Sequence, residues 1–498
     1  MNRARTGVRL LALLVCPSWA AGAGLPERIQ AAIDASAVAR SAFWGIRIAD
    51  LESGRVRFDL NADRLFVPAS NTKLFTAALG LARLGPEHRF ETTVVAVRAP
   101  DASGSVPGLR LVGGGDPNLS ARAIPYRTGP VTGDPLAAID ELAAQVAARG
   151  VRRVDGDVTG DDTAYVWTAY PDGWAADDPI WEYGAPVSAL TVNDNAFSLH
   201  IRPGARVGDL ARLTLTPALE FYRIDNRVET TAAVARRISI DREPGLRQVR
   251  LWGTVPLGDG GETTLLAIDD PALYAAMALA EALERHGVTV LGRARVRHLF
   301  PNQVRDLAVG PAEPPEGGVV LARRVSAPLA EDLRITAKVS QNLHAELVLR
   351  AVARARRGVG SREAGLEEMQ AFLDEAGIDR DAYNLNDGSG LARLNLVTPA
   401  TVVKLLRYMW AQPAREIWTG LLPVGGQDGT LANRFAGSPA AGRIRAKTGS
   451  LSHVSALSGY AGKSGGGHLA FAILVNNYNG NGAGIRGVID QICSLMVE

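Results

Sequence analysis

Lysine is nearly absent from this chain. Of 54 basic residues in 498, only Lys73, Lys338, Lys404, Lys447 and Lys463 are lysine and the rest are arginine. Positive charge on the surface is therefore carried by guanidinium, and each lysine invites a reason of its own. Cysteine is scarcer still. Cys16 and Cys493 are the whole set, which excludes a disulfide scaffold. No apolar run approaches the ~20 residues needed to cross a bilayer. The N-terminal Leu10–Cys16 run follows Arg3, Arg5 and Arg9 and precedes Ala21-Gly22-Ala23, the pattern of a secretory signal peptide over residues 1–23. Cys16 fits a lipidation site poorly, because Val15 stands where a small residue is expected, so at most peripheral membrane contact is expected. Removing the signal takes away three arginines and no acidic residue, turning the formal charge of +2 into −1, a balance that gives nucleic acid nothing to hold. The seven histidines include no H-E-x-x-H and no paired spacing, so no metal site is expected; His344 and His453 read as packing or surface residues.

What is present is globular. Hydrophobic residues at 47% against 21% charged exclude a disordered chain, and the length exceeds one ordinary core, so two or three domains are expected. A helix near Pro26–Ala39 precedes a β-hairpin of Phe43–Ile48 and Gly54–Leu60. From about Phe90 to Gly317 short strand-like runs and Asp/Gly-rich turns such as VGGGDP predict an inserted, β-rich region, ending in a loop-like Phe300–Gly318. Near the C-terminus, Arg443–Leu451 and His468–Asn476 predict strands with Gly465–Gly467 turning between them. Ile485–Val497 predicts a helix with Ile485, Val488, Ile489, Ile492, Leu495 and Met496 on one face and Cys493 as a packing residue.

The stretch VPASNTKLFTAALG, Val67–Gly80, opens a helix that is apolar on nearly every side, hence buried. Its first turn holds Ser70 and Lys73, and positions i and i+3 share a face. A serine hydroxyl becomes a nucleophile when a neighbouring base takes its proton. Lysine serves as that base if burial or nearby cations lower its pKa, whereas arginine stays protonated. By itself, S-x-x-K also fits an N-cap serine followed by a solvated lysine. A second lysine, Lys447, stands in Ala-Lys-Thr-Gly-Ser (446–450). Drawn at random from this chain's basic residues, both positions would be lysine roughly once in a hundred times. A third element, Ser340-Gln341-Asn342, opens the helical run SQNLHAELVLR. S-x-x-K, S-D-N and K-T-G together mark serine acyl-transfer enzymes that act on peptidoglycan or penicillin, and all three occur here in that order, the second with Gln341 in its middle place.

With these motifs the sequence resembles the type 4 penicillin-binding protein family, the low-molecular-mass class C D-alanyl-D-alanine carboxypeptidases/endopeptidases. The likeness extends to the blocks GGGDPNL (113–119), YGAPVSALTVNDN (183–195), DGSGLARLN (387–395), LPVGGQDGTL (422–431) and VSALSG (454–459). It implies a multidomain chain: an α/β penicillin-recognising serine transpeptidase-like domain, an antiparallel sheet flanked by helices plus a helical subdomain, with two inserted β-rich domains. The catalytic domain would take residues 24–90 and 318–498, an outer insert 91–113 and 190–317, and a smaller one 114–189. The resemblance also implies roles. Ser70 would be the nucleophile, Lys73 its base and Ser340 a general acid. Asn342 would hold Lys73 and a substrate amide. Lys447 and Thr448 would bind the terminal carboxylate, with Gly449 between them and Ser450, whose N–H would join that of Ser70 in the oxyanion hole. No cofactor is implied. The expected partners are peptidoglycan stem peptides and acylating β-lactams in the periplasm of the exporting cell, and since relatives form dimers a homodimer is allowed. Gln341 stands where Asp is usual and Ser450 where Thr is usual; neither removes a group the chemistry needs.

Rival readings fare worse. A serine β-lactamase or esterase of the same fold would use Y-x-N in the second motif and Glu-x-x-Leu-Asn for a deacylating water, and neither occurs. Gly462-Lys463-Ser464-Gly465-Gly466 matches a nucleophile elbow, which needs an acid and then a histidine downstream. Only His468 follows, ahead of Asp490, so this reads as a glycine turn. A non-catalytic peptidoglycan-binding protein would have lost a motif side chain, and none is lost.

Overall fold

The two ends of the chain meet in one sheet. In the computed structural model, which describes residues 24–243, 245–310 and 317–498, five antiparallel strands run in the order Ile444–Leu451, Val454–Gly462, His468–Asn476, Phe43–Asp50, Val56–Leu60. The signal peptide expected at 1–23, with Cys16, lies outside the described residues. The N-terminal hairpin is formed as expected, with Ile46 opposite Leu60. At the other end the expectation of two strands is corrected to three: Val454–Gly462 lies between them, and the glycine turn joins it to His468–Asn476. VSALSGYAG is built largely of small residues and is buried along its length, so it carries neither β-branched enrichment nor alternation.

The His468–Asn476 strand is apolar from Leu469 to Val475 because both its faces are covered there. Phe471, Ile473 and Val475 pack with Ile485, Ile489, Ile492 and Cys493 of the helix Ala483–Val497 and with Ile29 and Ile33 of Leu25–Ala35. Ala470, Ala472 and Leu474 join Val402, Leu405 and Leu406 of Pro399–Trp410. Beyond that helix lies the helical subdomain. Its axis is Thr72–Arg83, buried continuously from Thr72 to Leu81 among Leu333, Leu347, Val348 and Phe372 of neighbouring helices. At roughly 1.5–3 kcal/mol for each large apolar side chain removed from water, this packing rather than propensity holds the helix in place.

The insert is anchored by its own neck. Glu91–Ala96, where the chain leaves, pairs antiparallel with Val319–Val325, where it returns, so the return strand belongs to the insert's sheet and not to the catalytic domain expected from 318. That sheet has the order Ala294–Leu299, Val158–Val166, Leu109–Val112, Glu91–Ala96, Val319–Val325. Val158–Val166, placed by expectation in the smaller insert, thus pairs with strands assigned to the outer one. The strands between Ala196 and Ala267 instead form two three-stranded sheets of their own. All share one apolar cluster, from Val94 through Leu251 to Leu321. The region is β-rich, and among its described residues two α-helices are added, Ala137–Ala148 and Pro271–Arg285. The second opens on Asp270, whose carboxylate accepts from the Leu273 N–H at 2.9 Å, followed by proline at the first helical position. Among the described residues no helix is long and apolar enough to cross a membrane.

Candidate active site

The site begins with a bend. Ala69 has φ +48, a left-handed conformation that a non-glycine residue rarely adopts, and the short helical turn Ala69–Asn71 then feeds Thr72–Arg83. Pro68 ends the extended segment before it. Val67 is clamped by Asn476, which accepts from its N–H at 2.8 Å and donates to its carbonyl at 3.2 Å. The bend sets Ser70 at the opening of the cleft and turns Lys73, 1% exposed, into the interior.

Lys73 Nζ has three neighbours: Ser70 Oγ at 2.9 Å, Asn342 Oδ1 at 2.6 Å and the Ser389 carbonyl at 2.6 Å. The last two accept only, so they take the two N–H bonds of a neutral amine and leave its lone pair for the Ser70 hydroxyl proton. Burial favours that neutral form. It lowers the Lys73 pKa to about 7, against the opposing pull of Asp387 and Glu346.

Ser340 and Asn342 sit at the junction between Leu329–Lys338 and Asn342–Arg357, and Ser340 is held at φ +66. Its Oγ accepts from Lys447 Nζ at 2.8 Å. Lys447 is fully buried on the edge strand Ile444–Leu451 and also donates to the Thr448 carbonyl at 2.8 Å. Burial, followed by the nearness of Lys73, pushes its pKa well down. Asn71 Nδ2 donates to the Lys447 carbonyl at 3.1 Å, tying the first motif to the third. Gly449 permits that approach, since a Cβ there would lie 2.7 Å from the Pro68 carbonyl.

The edge strand's ladder supplies the remaining donor. The Ala446 N–H points away from the sheet to the Pro423 carbonyl at 3.0 Å. By the alternation of an antiparallel strand, the N–H groups of Thr448 and Ser450 point the same way, toward the cleft. Ser70, Ser340, Thr430, Thr448 and Ser450 line one pocket of about 380 Å3, and Thr448 Oγ1 donates to Thr430 Oγ1 at 2.9 Å. Every residue singled out from the sequence, Ser70, Lys73, Ser340, Asn342, Lys447, Thr448, Gly449 and Ser450, is at this cleft.

A family model described as D-Ala-D-Ala carboxypeptidase 3 (S13) matches residues 27–495. The chain belongs to that family. It is 38% identical over 470 residues to a D-alanyl-D-alanine carboxypeptidase of Actinomadura sp. (strain R39), covering 92% of this chain and 81% of that one. Against the D-alanyl-D-alanine carboxypeptidase DacB of Haemophilus influenzae identity is 24%, over 86% and 84% of the two chains. The crystal structure of penicillin binding protein 4 from Haemophilus influenzae has the same fold, with a TM-score of 0.79 at 22% identity, covering 94% of this chain and 98% of that one.

This S13 chain surrounds its motifs with groups that motif reading alone missed. Glu346, one turn beyond Asn342, is fully buried; its Oε1 accepts from the N–H groups of Gly388 and Ser389 at 2.9 Å each, and its Oε2 meets Arg350 at 3.0 Å. Asp387 accepts from Gly390, Ala392, Asn395 and Trp174. Together they freeze the DGSG loop whose Ser389 carbonyl touches Lys73. Gly390, at φ +85, packs where a Cβ would strike the Ala69 carbonyl at 1.9 Å. The i, i+4 step from Asn342 to Glu346 was the available signal for this support.

His344 requires a correction, for it is neither a packing nor a surface residue. It is fully buried with Nδ1 2.7 Å from Asp332, in contact though not aligned for a hydrogen bond, and Nε2 3.1 Å from Asp194. Burial opposes its charge, but the two carboxylates outweigh it and raise its pKa to about 9. Asp194 belongs to the insert-side block and also receives Arg122 and, at 3.2 Å, Gln341 Nε2. Gln341 Oε1 meanwhile caps the next helix by accepting from the Leu343 N–H at 3.0 Å. A carboxylate at 341 would keep the cap and lose the donor. We expect Gln341→Glu to lower stability by about 1–3 kcal/mol, the cost of leaving a charged group's hydrogen bond unmade, and to cut kcat/KM about ten-fold through Ser340 and Asn342; a melting curve and a turnover assay check both.

Proposed function

We propose that the protein is an exported, periplasmic serine D-alanyl-D-alanine carboxypeptidase that also cleaves D-alanyl cross-links, its substrates being peptidoglycan stem peptides. The observation that carries this is the Lys73 amine, buried and flanked by two pure acceptors, with Ser70 Oγ at 2.9 Å. Ser70 attacks the carbonyl carbon of the penultimate D-alanine as its proton passes to Lys73. The oxyanion is received by the N–H groups of Ser70 and Ser450. As the C–N bond breaks, Ser340 gives its proton to the departing amine, and the proton that Lys73 took from Ser70 replaces it by way of Lys447 Nζ, 2.8 Å from Ser340 Oγ, which leaves Lys73 neutral again. The acyl group stays on Ser70 as an ester until water, deprotonated by the same Lys73 amine, releases the shortened peptide. Asn342 donates one amide hydrogen to the Tyr183 carbonyl at 2.8 Å and keeps the other for the carbonyl of the acyl side chain. Thr448 and Lys447 face the terminal carboxylate.

A β-lactam presents the same amide in a ring. Its leaving amine stays tethered after acylation, and so the ester persists. Fluorescent penicillin is expected to label the wild type and not Ser70→Ala, and purified enzyme to release D-alanine from pentapeptide-bearing muropeptides. A labelled Ser70→Ala protein, or a wild type that yields no product from either pentapeptide or cross-linked substrate, would refute the assignment.

A further inference from the structure

The pocket that holds Ser70, Ser340 and Thr448 is also lined by two arginines that the catalytic steps leave unused, Arg434 and Arg486. They differ in what neutralises them. Arg434 is spoken for, with Nε 3.1 Å from Asp490 Oδ1 and its guanidinium 5.4 Å from the centre of the Phe435 ring. Arg486, in the first turn of Ala483–Val497 and half-buried, has no carboxylate partner among the described residues; its hydrogen bond is a long one, 3.4 Å, to the Asn481 carbonyl. Among the described residues, a guanidinium that cannot lose its proton thus sits in the wall of the cleft with no carboxylate in salt-bridge contact.

We propose that Arg486 is a specificity-determining residue that binds the free carboxylate of the leaving D-amino acid, beside Thr448. This deepens the carboxypeptidase reading and rests on it. The other candidate cations are poorly placed to serve alone. Lys73 is required as a neutral base, and Lys447 spends two of its hydrogens on Ser340 and the Thr448 carbonyl while its burial disfavours charge. The permanent, uncommitted charge is at Arg486. An arginine also offers a carboxylate two parallel N–H donors, so it discriminates an acid from an amide more sharply than a hydroxyl does. The chemical class recognised is a D-amino acid with an ionised α-carboxylate, whether a terminal D-alanine or the D-centre of a cross-linked residue.

The test compares a blocked peptide ending in D-alanyl-D-alanine with the same peptide ending in D-alaninamide. In Arg486→Ala we expect KM for the acid to rise about ten-fold with kcat changed far less, and the acid-over-amide preference in kcat/KM to shrink by about ten-fold, as loss of a charged hydrogen bond predicts. Arg486→Lys is expected to fall between the two and provides the test if the alanine variant folds poorly. An unchanged acid-over-amide ratio in both variants overturns the proposal while leaving the enzyme reading intact. A wild type inactive on both peptides and unlabelled by penicillin overturns the enzyme reading, and the proposal with it.

Discussion

Lys73→Arg is expected to reduce both D-alanine release and penicillin acylation by about 10^3-fold or more, the scale on which an essential general base acts. Arginine retains N–H donors and a similar reach, so a structural role would survive it in part. A base would not, because the guanidinium never offers a lone pair to the Ser70 proton. The stopped-flow rate of acylation by a fluorescent penicillin reads this directly. A variant keeping a tenth of the wild-type rate would mean that something other than Lys73 deprotonates Ser70. Lys73→Ala should match the arginine variant in rate while losing less stability, since it buries a small cavity rather than a permanent charge.

The same contrast explains why the site was legible in the sequence. Three of the five lysines, Lys73, Lys338 and Lys447, are buried around the cleft. Lys73 and Lys447 sit at proton-exchange positions. Lys338 is bound by Asp428 at 2.6 Å and the Leu422 carbonyl at 2.8 Å, and it holds in place the loop that presents Thr430. A chain that otherwise uses arginine marks these positions by chemistry, and Ser340 and Asn342 then follow from motif order. The buried charges were not legible in this way. Glu346, Asp387, Asp194 and His344 are ordinary charged letters whose burial depends on which distant segment lies against them. The insert's topology was hidden for the same reason: the pairing of Glu91–Ala96 with Val319–Val325 spans more than two hundred residues and leaves no local periodicity to read. Val454–Gly462 escaped because a strand covered on both faces and built of small side chains has no alternation.

Glu346 provides the second large effect, and it separates scaffold from chemistry. Glu346→Ala would strand Arg350, 1% exposed, without its carboxylate and leave the Gly388 and Ser389 N–H groups without an acceptor. Breaking one side of such a buried pair costs about 3–5 kcal/mol. In a multidomain chain that loss is best read as a lower melting temperature of the catalytic half, not as a single unfolding free energy. Glu346→Gln keeps an acceptor oxygen for the Gly388 and Ser389 N–H groups, turns an NH2 donor toward Arg350 and removes the charge. With Asp387, that charge favours the Lys73 ammonium, so removing it makes the amine easier to deprotonate. The rising acidic limb of kcat/KM, expected near pH 7 in the wild type, should therefore move to lower pH, and relative activity at pH 6 should increase even as the protein becomes less stable. A limb that moved upward would contradict the electrostatics. An unmoved limb would show that Glu346, whose own pKa is raised by burial and by Asp387, is already protonated and acts on Lys73 only through the loop it holds.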